Sequence, residues 1–334
     1  MAYSEPPPGE LLSTDGRGAS PEAFVAVANR PRRTISPMNA LLLAACVLTT
    51  VTALSGAYEG AWCPIGTLMT NPRQVPTFGH RLLFVGVGWL FKLAVPALSF
   101  RRCWLLSQGV ATVFTFGAMA VWVRKLVGSP LIGVGSLALT VMLIPTIGYC
   151  TFYDVAMIGF YSLCLILLAE KHLVSYLAVY AVALTNHENI LLLLPVAVLY
   201  LWSYKRWTAG TLMGVAQALI YVAYRLAIRH FLPSDLAFHW NLYRNLRLEY
   251  EGRGLLLAAA ALLLPFVGTA IGFQYAPRLL KISVVGLFPG LLLVTVLFGQ
   301  VNEPRQFDAM FALAVPSILC ALRQPERSDG GPVG

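Results

Sequence analysis

The tetrad Thr185-Asn186-His187-Glu188 is flanked by the apolar runs LVSYLAVYAVAL and LLLLPVAVLYLW. A charged side chain facing lipid costs roughly 2.5–3.5 kcal/mol even on insertion scales, so His187 and Glu188 demand protein or water around them. Three other places have the same character. In TFYD, Thr151 and Tyr153-Asp154 open an apolar run. In VNEPRQFDAM, Asn302, Glu303, Arg305 and Asp308 open another. GAYEGAWCPIGTLMTNPRQVPTFGHR, residues 56–81, carries Tyr58, Glu59, His80 and Arg81. Carboxylates in such places serve as general bases. Arginines serve as bidentate phosphate donors.

A plainer account competes with that chemistry. Thr151 with Asp154, and Thr185 with Glu188, have the spacing of capping boxes at helix starts. Asn302 before Pro304 is an ordinary N-terminal signal as well. Capping accounts for Asp154 and Glu188 but leaves His187 and Arg305 unexplained. The sharper expectation uses the same helix starts. Their free N–H groups favour anions, phosphate above all. Catalytic roles then fall to Glu59, Asp154 and Glu188. Substrate contacts fall to Arg81, Tyr153, His187, Asn302, Glu303 and Arg305.

These residues need elements to hold them. The chain has 334 residues, 57% of them hydrophobic and only 12% charged. Soluble domains carry roughly 25% charged residues. The mean hydropathy is +0.70. Apolar runs lie near 38–57, 103–123, 129–149, 152–169, 208–228, 254–274, 282–299 and 306–322. A membrane-spanning helix needs about 20 apolar residues. The expected fold is therefore all-α, a polytopic transmembrane bundle of about 9–11 hydrophobic segments. Residues 172–203 are too long for one helix and are interrupted by the tetrad. The sequence predicts two short helices there, 172–185 and 189–203. Residues 81–100 carry Arg81 and Lys92 in an otherwise apolar stretch, which predicts an interfacial helix.

The Pro-, Gly- and Ser-rich residues 1–37 and the final 323–334 read as disordered tails. Between them, 38–322 forms the membrane domain, with outer loops at 58–102 and 229–253. The second loop interleaves Trp240 and Tyr243 with arginines, as interfacial anchors do. The net charge of +9 does not point to nucleic acid. Its basic residues sit at helix ends, where membrane lipids are the partner. Lys/Arg bias leaves the orientation undecided. In either orientation Asp154, Glu188 and Glu303 share one membrane face, opposite Lys125, Lys205 and Lys281. The six cysteines show no metal-binding spacing, and neither a metal nor another cofactor is expected.

The order of NPRQVPTFGHRLLFVGVGWL, FYDVAMIGFYSLCLILLAE, TNHENILLLLP and GQVNEPRQFDAMFALAVP resembles small bacterial polytopic proteins of the GT-C glycosyltransferase type. The resemblance covers roughly residues 38–322. It implies an inner-membrane enzyme with a polyprenyl-phosphate-linked sugar as donor, and an acidic catalytic residue in the first outer loop, where Glu59 stands. A lone Glu replaces the usual Asp of that loop, and His187-Glu188 replaces the family's basic-Glu pair. Transport of a lipid-linked saccharide, and a non-catalytic subunit role, are the alternative expectations.

Overall fold

A computed structural model of the protein describes residues 35–58, 81–147, 152–231, 242–247, 252–298 and 304–323. The expected tails fall almost wholly outside these residues. The described residues are helical throughout, in twelve α-helices and four short 3-10 segments, with no strand among them. Five stretches are long and apolar enough to cross a membrane: Pro37–Gly56, Phe100–Val127, Ser129–Thr146, Trp207–Phe231 and Arg278–Leu297. The expected all-α membrane architecture holds at that level.

The helices are α1 Pro37–Tyr58, α2 Leu82–Ala94, α3 Phe100–Val127, α4 Ile132–Leu143, α5 Phe152–Ala169 and α6 Leu173–Leu184. They continue as α7 Leu193–Ser203, α8 Trp207–Phe231, α9 Leu242–Arg247, α10 Gly252–Phe273, α11 Arg278–Leu297 and α12 Phe311–Leu322. The 3-10 segments are Ser129–Leu131, Ile144–Thr146, Glu188–Leu192 and Pro304–Met310.

Helix α3 sets the scale. It begins at Ser99, whose hydroxyl accepts the Arg102 N–H, and ends at Gly128 with φ +98°. Between Arg102 and Arg124 it carries no charge, a stretch of about 32 Å at 1.5 Å per residue. That matches a hydrocarbon core of about 30 Å. Helix α5 runs parallel to it. The Thr115 hydroxyl donates to the Val155 carbonyl at 2.8 Å, and ten residues further along α3 Lys125 pairs with Glu170. Gly159 permits this approach, because a Cβ there would meet the Phe114 ring and the Thr115 backbone. Apart from Leu163 and Leu167, residues 153–169 are buried. A helix apolar all round belongs at the centre of a bundle, and α5 occupies it.

Peripheral helices bury less. In α1 and α8 only 17% of the spanning window is covered, so most of their surface is left for lipid. One polar contact fixes α1: Asn39 Nδ2 donates to the Ser129 carbonyl at 3.1 Å and its Oδ1 accepts the Gly133 N–H at 3.2 Å. In α12, Pro316 removes the N–H that would bond the Ala312 carbonyl. The indole of Trp122 on α3 replaces it, donating to that carbonyl at 3.2 Å.

The chain reverses inside the bundle at residues 185–187. Helix α6 leaves His172, beside Glu170, and rises parallel to α8, where Gln217 meets Tyr176. Helix α7 returns antiparallel to α8, with Val198 opposite Gly214 and Trp202 opposite Gly210. The expected break in 172–203 is thus a re-entrant hairpin. Its polar residues stand at the tip.

Helix α2 has 13 residues, or about 20 Å, and is too short to span. Phe84, Val85 and Gly88 are buried, and α2 packs along the first half of α3. Its two basic residues stand at its two ends. Arg81 stands at its N-cap, and Lys92 folds onto the Pro96 and Leu98 carbonyls at 2.6 and 2.7 Å.

Candidate functional site

The hairpin tip meets two helix starts. Asn186 Nδ2 donates to the Tyr153 carbonyl at 2.8 Å, fastening the tip to the first turn of α5. The Leu83 N–H donates to the Thr185 carbonyl at 3.1 Å, fastening it to the first turn of α2. Three chain segments far apart in sequence therefore end at one place.

Their side chains complete the cluster. Arg81 Nη2 donates to Glu188 Oε1 at 2.9 Å and Arg81 Nε to Oε2 at 3.4 Å. The pairing is fork-like, the geometry guanidinium and carboxylate favour. The Arg81 guanidinium carbon also lies 4.4 Å from the centre of the Tyr153 ring, within cation–π range. His187 Nε2 is 3.8 Å from Asp154 Oδ1, and Nδ1 is 3.8 Å from Glu188 Oε2. Asp154 is 2% exposed and His187 6%, so neither meets lipid or bulk water. Tyr224 of α8 stands within electrostatic reach of Glu188 and Arg81.

Local geometry assigns the His187 tautomer. Its Nδ1 accepts the Asn189 N–H at 3.1 Å, which makes His187 the N-cap of Glu188–Leu192. The ring proton must then sit on Nε2, directed toward Asp154. This corrects the capping-box expectation for Thr185 and Glu188. Thr185 closes α6 instead, its hydroxyl donating back to the Val182 carbonyl at 2.7 Å. His187 caps the next turn, and Glu188 is spent on Arg81.

Depth follows from helix rise. Asp154 lies about 24 Å along α5 from Glu170. With Thr115 of α3 level with Val155 of α5, the cluster sits about twelve residues, or roughly 18 Å, along α3 from Arg102. Lys125, Lys205 and Lys281 occupy the helix ends remote from it: Lys125 pairs with Glu170, Lys205 follows the far end of α7, and Arg278, one turn before Lys281, covers Tyr204 at 5.0 Å.

Five of the expected site residues, Arg81, Tyr153, Asp154, His187 and Glu188, come together. Glu59, Asn302 and Glu303 lie outside the described residues, as do Thr151 and Trp240. Arg305 belongs to the segment Pro304–Met310, which packs against α5, but its side chain is outside the description. The third expected helix start therefore adjoins the central helix. The sequence expectation is that Arg305 pairs with Glu303 or Glu188; the described partner of Glu188 is Arg81. Asn186 received no role from the sequence. It is 1% exposed, and its Oδ1 has no hydrogen-bond partner among the described residues. Its signal was its place in an apolar run, where an amide needs a partner. In α9, Arg247 lies 3.9 Å from the Tyr243 ring centre, and Asn245 donates to the Thr295 and Val296 carbonyls of α11. Among the described residues no group of three or more His, Cys, Asp or Glu is arranged to hold a metal ion.

No protein-family model matches the chain, and neither a curated protein nor a solved structure shows significant similarity to it.

Proposed function

We propose that this protein is a membrane-embedded glycosyltransferase of the GT-C type. It transfers a sugar from a polyprenyl-phosphate-linked donor to a lipid, glycan or protein acceptor at the bacterial inner membrane. The observation that carries the reading is the meeting of Arg81, Asp154, His187 and Glu188 at the tip of a hairpin of apolar helices. Buried charges are costly, and within membranes they mark functional sites. In this reading Asp154 takes the proton from the acceptor hydroxyl. The acceptor oxygen then bonds to the anomeric carbon as the carbon–phosphate oxygen bond breaks. The departing polyprenyl phosphate keeps the electron pair, and Arg81 neutralises its charge. His187 orients Asp154 through Nε2, and Asn186 Oδ1 accepts a substrate hydroxyl.

The test uses the full chain in lipid nanodiscs with a panel of radiolabelled polyprenyl-phosphate hexoses and membrane-extracted acceptors. Wild type should transfer label to at least one acceptor. D154N should lose at least about 100-fold, the lower end of general-base contributions. Failure of wild type with every donor would defeat the reading.

One observation favours a second reading, movement of a lipid-linked saccharide. The α6–α7 hairpin consists of half-length helices meeting at a polar tip, a construction transporters use at substrate sites. Flux of a fluorescent lipid-linked saccharide across proteoliposomes, without transfer, would select it.

A further inference from the structure

Inside the α6–α7 hairpin lies a second polar group, two to three helical turns before the charged cluster along α6. Tyr176 and Tyr180 stand one turn apart on α6, with ring centres 6.3 Å apart and planes 14° from parallel. Gln217 of α8 faces them. All three side chains are fully buried. Gln217 Nε2 donates to Tyr176 Oη at 2.9 Å, and that hydroxyl points to the Leu193 carbonyl at 3.4 Å. The amide orientation follows: with the Tyr176 proton aimed at Leu193, Gln217 presents its N–H to Tyr176 and turns Oε1 away. Above them, Tyr161 gives its proton to the Asn189 carbonyl at 2.5 Å.

Two polar atoms remain. Tyr180 Oη, a donor, and Gln217 Oε1, an acceptor, have no hydrogen-bond partner among the described residues. Burying either alone costs free energy that folding does not recover. One is a donor and the other an acceptor, so a single kind of molecule serves both. Buried water takes two to four polar partners and occupies such places at a rate of about one per 27 residues.

We propose that Tyr176, Tyr180 and Gln217 line an internal water site in which ordered water accepts from Tyr180 Oη and donates to Gln217 Oε1. The water ties α6 to α8 beneath the hairpin tip. The interior of the hairpin is therefore wet, and its polar character extends inward from the charged cluster. This inference is independent of the proposed reaction.

Two measurements on the full chain test it. In the first, thermal unfolding in detergent compares wild type, Y180F, Q217L and the double variant. A lone hydroxyl costs stability, so removing it from an unhydrated site would raise the Tm. If water bridges the pair, Y180F lowers the Tm by about 2–4 °C, and the two substitutions are less than additive because they share one water. The second is X-ray radiolytic footprinting, which oxidises side chains beside bound water even when they are buried. Tyr180 should be oxidised several-fold faster than Tyr161, which is equally buried and whose proton is spent on a carbonyl. A Y180F protein as stable as wild type or more so, or a Tyr180 oxidised no faster than Tyr161, overturns the proposal.

Discussion

Glu188 shows how little a residue type says without its partner. As a carboxylate three positions after a threonine it reads as a cap. In the fold it grips Arg81, while His187 does the capping. The Arg81 side chain is 11% exposed and that of Glu188 31%, so the pair is sheltered mainly on the arginine side. Removing one partner strands the other charge; removing both strands neither. E188Q and R81Q should each cost roughly 1.5–3 kcal/mol, the range for hydrogen bonds to charged groups. The double variant should be more stable than the sum of the two losses implies, with a coupling above about 1 kcal/mol. Chemical denaturation in mixed micelles measures this. Additive losses would show that the contact carries no energy.

At the scale of elements, the bundle is held where side chains step aside or replace a missing bond. Pro316 frees the Ala312 carbonyl, and Trp122 supplies the donor. W122F keeps the ring and loses the N–H. It should destabilise by about 1–3 kcal/mol, the cost of an unsatisfied buried acceptor, seen as a lower Tm. A second W122F/P316A variant restores an N–H in α12 and should recover most of the loss. If W122F alone is neutral, the bond is dispensable. A close approach elsewhere has a different cause: at Gly272 of α10 an added Cβ would overlap the Ser317 backbone. Small residues at helix contacts in membranes permit this proximity. These devices were visible in the sequence only as isolated Pro, Trp and Gly letters, since their partners lie 190 or about 45 positions away.

Over the whole molecule, helix directions place Lys125, Lys205 and Lys281 at the ends remote from the cluster. If the membrane lies across α3 between Arg102 and Arg124, single cysteines at 125, 205 and 281, in an otherwise cysteine-free chain, should react with an impermeant maleimide from the same side. A cysteine at the exposed Tyr243 should react from the opposite side, because α9 sits on the α11 end distant from Lys281. Reaction of positions 205 and 243 from one side would sink this arrangement. The all-helical character, the long apolar runs and the break at the tetrad were legible from residue types alone. Hydrophobic burial and backbone satisfaction in lipid depend on local composition and length. So was the set Arg81, Tyr153, Asp154, His187 and Glu188, because polar groups in apolar runs have few places to go. Their pairing was not legible. Whether Glu188 caps Thr185, meets Arg305 or meets Arg81 depends on where α2 docks, and that docking is decided by packing along α3 and by one backbone bond from Leu83 to Thr185. The reversal at 185–187 was equally hidden. Two half-length apolar helices have the same composition whether the second continues or turns back, and only contacts of α7 with α8 and α11 choose between them.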